Sequence, residues 1–170
     1  MIFDGTHQTP NYKQYGIPFV SVEDIKNLNN TKKFITCEDY KRDFKISPQF
    51  NDILMTRIGD IGTPTLIVDH CDRGYYVSLA LIRPLEKIYS PYLKYLIEAP
   101  SFQHELWKKT IHVAFPKKIN KEDIGKCEIN LCEMKEQKKI SDFLEKIDER
   151  IQTQSKIIDD CLSYRNAIVD

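Results

Sequence analysis

The hydrophobic pattern changes character near residue 131. Before it, apolar residues come in short runs broken by Gly and Pro. Beyond it, they recur at intervals of four and three, with no Gly or Pro from Met134 to Val169. The first pattern predicts strands. Residues 17–22 are rich in β-formers and follow Gly16. Residues 52–58 alternate between Asn51 and Gly59, and 65–68 form a second short β run. The intervening Gly59-Asp60-Ile61-Gly62-Thr63-Pro64 predicts a tight connection. Residues 75–82 predict another strand, with Val77, Leu79 and Leu81 on one face, and 127–131 a last one.

Helices are signalled differently. Ser90-Pro91 is a start signal, a serine cap with proline at the first helical position, and Tyr92, Leu93, Tyr95 and Leu96 follow at helical spacing. Pro100 stops that helix, and Ser101 caps a second one through Lys109. Asn120, with Asp123 three residues on, predicts a brief helical turn. In the C-terminal part, Ile140, Leu144, Ile147, Ile151, Gln154, Ile158, Cys161, Arg165 and Ile168 form a heptad seam opposite a charged face. Such a stripe is buried either on a second helix or on the chain's own domain. Length favours the second helix, because ~35 residues span ~50 Å, more than a small domain is wide. The expectation is an α+β fold: a mixed α/β domain over 1–132, then a long coiled-coil helix over 133–170.

Composition narrows the function. At 170 residues there is room for one domain and a short appendage, and 41% hydrophobic content suits a folded chain. No apolar run approaches the ~20 residues that cross a bilayer, and Met1 to Gly5 does not open like a signal peptide. The cysteines (Cys37, Cys71, Cys127, Cys132, Cys161) are odd in number and lack C-x-x-C spacing. That suits reduced thiols and a cytoplasmic protein. His70-Cys71 and His112 lack further ligands at a recognisable spacing, so no metal and no cofactor are expected.

Twenty-five basic and 25 acidic residues give zero net charge, which argues against a non-specific DNA coat. The charge is uneven. From Leu106 to Lys121 there are five lysines (Lys108, Lys109, Lys117, Lys118, Lys121) and no acid. Trp107, His112 and Phe115 are interleaved with them. This suits phosphate contact with close groove approach, and equally a solvated surface with Trp107 and Phe115 in the core.

Catalytic signatures are missing: there is no G-x-S-x-G, Walker loop, H-E-x-x-H or G-x-G-x-x-G. Asp39-Tyr40-Lys41 spells the D-x-K of metal nucleases, but the carboxylate cluster that such chemistry needs has no partner acid in sight. Gly59-Asp60-Ile61-Gly62 matches the KH-type G-x-x-G, yet it is flanked by strand signals and reads better as a turn.

Taken in order, five motifs resemble the recognition domains of type I restriction-modification specificity subunits. They are Asp4-Gly5-Thr6-His7-Gln8-Thr9-Pro10 with Gly16 to Ile25; Asn51-Asp52-Ile53-Leu54 with Arg57 and Gly59-Asp60-Ile61-Gly62; Tyr76 to Pro84; Ser90 to Leu96; and Glu136 to Asp148. Three departures stand out. Asn51 replaces the usual Gly. Cys132 replaces the usual Pro, implying a looser start to the last helix. The strand before Asp4 is nearly absent. Family subunits also carry two recognition domains and two spacer helices, whereas this chain has one of each.

The resemblance implies a non-catalytic subunit that reads one half of a bipartite double-stranded DNA site. It would dock methyltransferase subunits, and restriction subunits through them. It would pair with a second copy or another half-subunit through Ile140, Leu144, Ile147, Ile151, Gln154, Ile158, Arg165 and Ile168. The family motifs do not name the base-reading residues, so chemistry selects the candidates. Arg57 suits bidentate contact with guanine, or a buried ion pair with Asp52 or Asp60. His7 and Gln8 offer donors and acceptors, and Lys32, Lys33, Lys108, Lys109, Lys117 and Lys118 suit phosphates. The alternative reading is a regulator or decoy that binds the partner subunits through the helix, or the recognition fragment of a fused restriction-methylation enzyme.

Overall fold

Where a strand is covered on both sides, alternation disappears and every side chain is buried. This holds for Ile53, Leu54 and Met55 and for Leu79 through Ile82. They belong to the middle layer of the fold. The computed structural model describes the backbone of residues 1–169 and the side chains of residues 1–167. In chain order the strands are β1 (Ile2–Asp4), β2 (Ile17–Val20), β3 (Phe34–Ile35), β4 (Ile53–Ile58), β5 (Asp60–Leu66), β6 (Gly74–Tyr75) and β7 (Leu79–Ile82). The helices are α1 (Cys37–Asp43), α2 (Ser90–Glu98), α3 (Pro100–Lys109), α4 (Lys121–Ile124) and α5 (Met134–Val169).

The middle layer is an antiparallel sheet of order β1-β7-β4-β5. One face turns Leu54, Leu79 and Leu81 toward Phe19, Val20, Ile35, Phe44 and Tyr75 of the smaller sheet β3-β2-β6 and its surroundings. The other turns Ile53, Met55, Ala80 and Ile82 toward Leu93 and Ile97 of α2, Phe102 and Leu106 of α3, and Ile124 of α4. Each fully buried Leu or Ile contributes about 2 kcal/mol.

Several expectations need correction. The strand over 75–82 is two strands. Tyr76–Ser78 turns, with Leu79 N–H donating to the Tyr76 carbonyl (2.9 Å), and carries the chain from the small sheet to the large one. Both halves are β-formers, so composition hides the crossing. The turn expected over 59–64 is confined to Gly59 (φ 81°), and Gly62 and Pro64 lie within β5. Gly62 (φ 95°) is needed there because a Cβ would meet Gln103 and Leu106 of α3 at 2.8 Å. Residues 127–131 form no strand: Cys127 and Ile129 turn inward, but they have no ladder partner among the described residues. Alternation there reports burial and not pairing. The strand before Gly5 is present as β1, paired with β7. Helix α1 is an addition to the expected elements, although Thr36 and Asp39 carry its capping signal: the Asp39 N–H donates to Thr36 Oγ1 (3.0 Å).

Helix α5 docks through residues at 4-3-4 spacing, polar Gln137, Ser141 and Asp148 with half-buried Leu144 between them. Gln137 is 1% exposed. Its amide donates to the Lys87 (3.0 Å) and Cys132 (2.9 Å) carbonyls, and its Oε1 accepts the Tyr89 N–H (2.9 Å) at the head of α2. That grip on Cys132 holds the start of the helix where the sequence suggests a looser one. Asp148 accepts from Tyr95 Oη (2.8 Å) and Lys94 Nζ (3.3 Å). Gln137→Ala leaves the Tyr89 N–H and two carbonyls unpaired and is expected to cost about 2 kcal/mol. Amide exchange at Tyr89 should accelerate. An unchanged Tyr89 rate would show that Gln137 does not latch the helix.

Candidate nucleic-acid interface

Antiparallel pairing sends β1 and β4 to the same end of the sheet, where β7 begins (Asp4↔Ala80, Thr56↔Leu79). Three loops meet there. The first leaves β1 through Gly5, which has no room for a side chain: a Cβ would sit 2.4 Å from the Tyr75 carbonyl oxygen. Backbone bonds from Thr6 N–H to Tyr75 O (3.1 Å) and from Val77 N–H to Thr6 O (3.0 Å) pin this loop and leave His7 and Gln8 exposed. The second is the β4–β5 turn at Gly59. The third is the segment 110–119, stitched to the turn by Gly59 N–H to Lys117 O (2.8 Å) and Ile119 N–H to Arg57 O (3.0 Å).

Arg57 lies beneath these loops, 8% exposed. Its Nε donates to the Val77 carbonyl (2.8 Å), its Nη1 to the Ile119 carbonyl (3.2 Å), and its Nη2 stands 3.1 Å from Asp4 Oδ1. The acid is Asp4, neither Asp52 nor Asp60. Asp52 is taken by Arg83, whose Nη2 approaches Oδ2 at 2.7 Å, and Asp60 accepts from the Thr63 hydroxyl (2.6 Å). So enclosed, Arg57 has all three guanidinium nitrogens engaged within the chain and joins the end of β1 to the 110–119 segment.

The lysines divide into two groups. Lys108 and Lys109 reach back to Glu105 (3.0 and 3.2 Å), whose carboxyl they hold below its usual range. Lys121 pairs with Asp4 (3.1 Å). Lys117 and Lys118 are exposed, with no carboxylate within 4 Å among the described residues. Lys33 bonds Glu23 (2.8 Å), which raises the ammonium's pKa and lowers the carboxyl's. It lines a hollow of about 330 Å³ with Thr9, Tyr12, Tyr76 and Ser78. Ser78 adjoins the Arg57 network through Arg57 N–H to Ser78 O (2.9 Å). Lys32 beside it is exposed. His7, Gln8, Lys33, Lys117 and Lys118 are thus gathered at one end of the sheet, with Lys108 and Lys109 beside it at the end of α3. Trp107 and Phe115 are not in the core: the indole is 61% exposed and Phe115 fully so.

Neither weak motif keeps its chemistry. Asp39 is bound to Thr36 and Arg42 on α1, and Gly59 to Gly62 lies in a hairpin and not between helices. Among the described residues, no group of three or more His, Cys, Asp or Glu side chains is placed to hold a metal ion. No helix among them is long and apolar enough to cross a membrane.

The seam residues Ile140, Ile147, Ile151, Gln154, Ile158 and Arg165 are exposed, and Leu144 is half-buried. The Ile168 side chain lies outside the described residues. From Glu149 to Ala167 every side chain is exposed, so roughly 28 Å of helix projects from the body. Apart from half-buried Leu144, the globular domain does not cover the described residues of the stripe.

The type I restriction modification DNA specificity domain matches residues 6–160. Three solved structures are similar in fold. A chain from work on complex assembly and conformational transition of a type I R-M system aligns with TM-score 0.68 at 17% identity. It covers 89% of this chain and 36% of that one. The HsdS subunit from Thermoanaerobacter tengcongensis aligns at 0.64 and 19%, over 90% and 36% of the two chains. The type I system S subunit from M. genitalium aligns at 0.60 and 15%, over 94% and 39%. The chain therefore spans somewhat over a third of the length of these structures. With 155 consecutive residues inside the match (6–160), the chain belongs to the type I restriction modification DNA specificity domain family.

Proposed function

We propose that residues 1–132 read one half of a split duplex DNA site and that residues 133–170 form a spacer helix. Through these two parts the chain directs methyltransferase subunits to the site, and restriction subunits through them. Methyl transfer and cleavage belong to those partners; the chain uses no cofactor and works in the cytoplasm. One observation carries the reading of DNA: the loops bearing His7, Gln8, Lys117 and Lys118 converge at one sheet end around the Arg57–Asp4 pair, with Lys33 beside them. His7 and Gln8 face base edges. Lys32, Lys33, Lys108, Lys109, Lys117 and Lys118 hold phosphates, and Arg57 fixes the loops that present them. The exposed stripe of α5 pairs as a coiled coil with the spacer helix of a second copy or of another half-subunit.

Fluorescence anisotropy on duplexes, across a salt series, tests the reading. Binding to methylome-identified sites should exceed binding to random sequence and should weaken steeply with salt. Equal affinity for both sequences would overturn it. Replacing Lys117 and Lys118 with Ala should weaken binding to all sequences alike and lower the salt slope by about 0.9 for each phosphate no longer neutralised.

A further inference from the structure

We propose that loop 112–117 is a wedge that enters the stacked base pairs of the target duplex. Phe115 is the inserted side chain, and Lys117 and Lys118 sit on the flanking phosphates. The proposal rests on the DNA-binding reading above.

Phe115 is fully exposed and Val113 is 97% exposed, the two most exposed large hydrophobic side chains among the described residues. They stand together at the tip of one excursion. The loop is held rigidly at its root. Ile111 N–H donates to the Lys118 carbonyl (2.8 Å), and the Lys117 carbonyl takes the Gly59 N–H. The His112 ring packs 4.9 Å from Trp107, with Nε2–H donating to the Trp107 carbonyl (2.8 Å). A braced loop that holds an aromatic ring in water loses little conformational entropy when that ring is finally covered.

The surrounding charge identifies what covers it. Residues 112–118 contain no acid, and Lys117 and Lys118 follow Phe115 with no carboxylate partner among the described residues. An apolar ring next to unneutralised cations matches a surface of flat apolar faces bordered by anions. Stacked bases between phosphates are such a surface, and apolar side chains inserted between base steps unstack and kink a duplex. The tip lies at the same sheet end as His7 and Gln8, so insertion and edge reading would occur at one site.

The test walks 2-aminopurine along a duplex carrying the methylome-identified half-site and adds the full chain. Wild type should raise fluorescence at a single step. Phe115→Ala should abolish that rise and lower affinity about tenfold, the size expected for one base–aromatic stack. The salt slope should not change, because every phosphate keeps its lysine. Phe115→Trp should keep both the rise and the affinity. Because Phe115 is fully exposed, the thermal midpoint of both variants should match wild type, which separates weaker binding from unfolding. Wild-type affinity and an unchanged fluorescence profile for Phe115→Ala would overturn the wedge while leaving DNA reading intact. So would unchanged DNA binding together with lost co-sedimentation of the methyltransferase, which would assign the loop to a protein partner. A wild-type chain that binds no duplex would overturn the DNA-binding reading itself.

Discussion

Arg57→Ala is expected to destabilise the domain by about 3 kcal/mol, the range seen when one partner of a buried ion pair is removed. The substitution strands the Asp4 carboxylate beside Lys121 alone and leaves the Val77 and Ile119 carbonyls without their guanidinium donors. It also unties the end of β1 from the 110–119 segment, so DNA binding should fall for every sequence together. Arg57→Lys should recover only part of the stability, since an ammonium lacks the planar fork that reaches three acceptors at once. Asp4→Asn should cost less, because Asp4 is 25% exposed and its amide still accepts a hydrogen bond. Urea denaturation measures all three. A variant Arg57→Ala of wild-type stability that loses discrimination at one base pair, by ~1–3 kcal/mol, would instead make Arg57 a base reader.

Ile151→Asp is expected to abolish pairing through α5. In the isolated chain Ile151 is 58% exposed, so the substitution should leave the fold of residues 1–132 untouched. In a paired helix the same carboxylate would be buried without a partner, at a cost of several kcal/mol. That is enough to move association out of the micromolar range. Gln154 and Arg165 are polar positions in the same stripe, and in the proposed pair they would set its register at some cost in stability. Light scattering of wild type and variant reads the result directly. A wild-type chain that is monomeric at tens of micromolar, and stays so with its methyltransferase present, would rule out the homodimer. If the helix also sets the distance between half-sites, removing one heptad shortens it by ~10 Å, or ~3 base pairs of duplex. Methylome sequencing should then show the same half-site bases with a shorter gap.

Three kinds of sequence signal are readable for different reasons. The long helix is legible because thirty-six residues without Gly or Pro carry a single period. The α2 start at Ser90-Pro91 is legible because capping is local, one residue out in register: Tyr89 is the cap and Pro91 lies in the first turn. The hairpin of β4 and β5 is legible from its flanking glycines, although its turn is tighter than expected. By contrast, 127–131 and 75–82 mislead. Alternation and β-propensity register which side chains are buried, and neither registers whether a neighbouring strand exists or whether the chain changes sheets.

The candidate site divides in the same way. Charge pattern alone marks 106–121 as basic, and the ordered motifs mark the family. Sequence also places the seam, since helical periodicity is a property of the chain itself. Only the tertiary structure decided which charges are free. Glu105 lies one residue before the acid-free stretch and takes two of its lysines, and Asp4, more than a hundred positions away, takes a third. Only the fold chose Asp4 over Asp52 and Asp60 for Arg57, because strand pairing and not sequence proximity brings β1 to the end of the sheet where β4 finishes. Gln137 is invisible as a latch in the sequence, since a buried glutamine on a polar face reads as solvated until its three backbone partners are known. Trp107 and Phe115 could not be assigned to core or surface from composition, because hydrophobicity ranks side chains by their preference for burial. Whether a cavity exists to receive them depends on how α3 and the sheet end pack, and here Leu106 and Ile119 are the side chains buried there while Trp107 and Phe115 stay exposed.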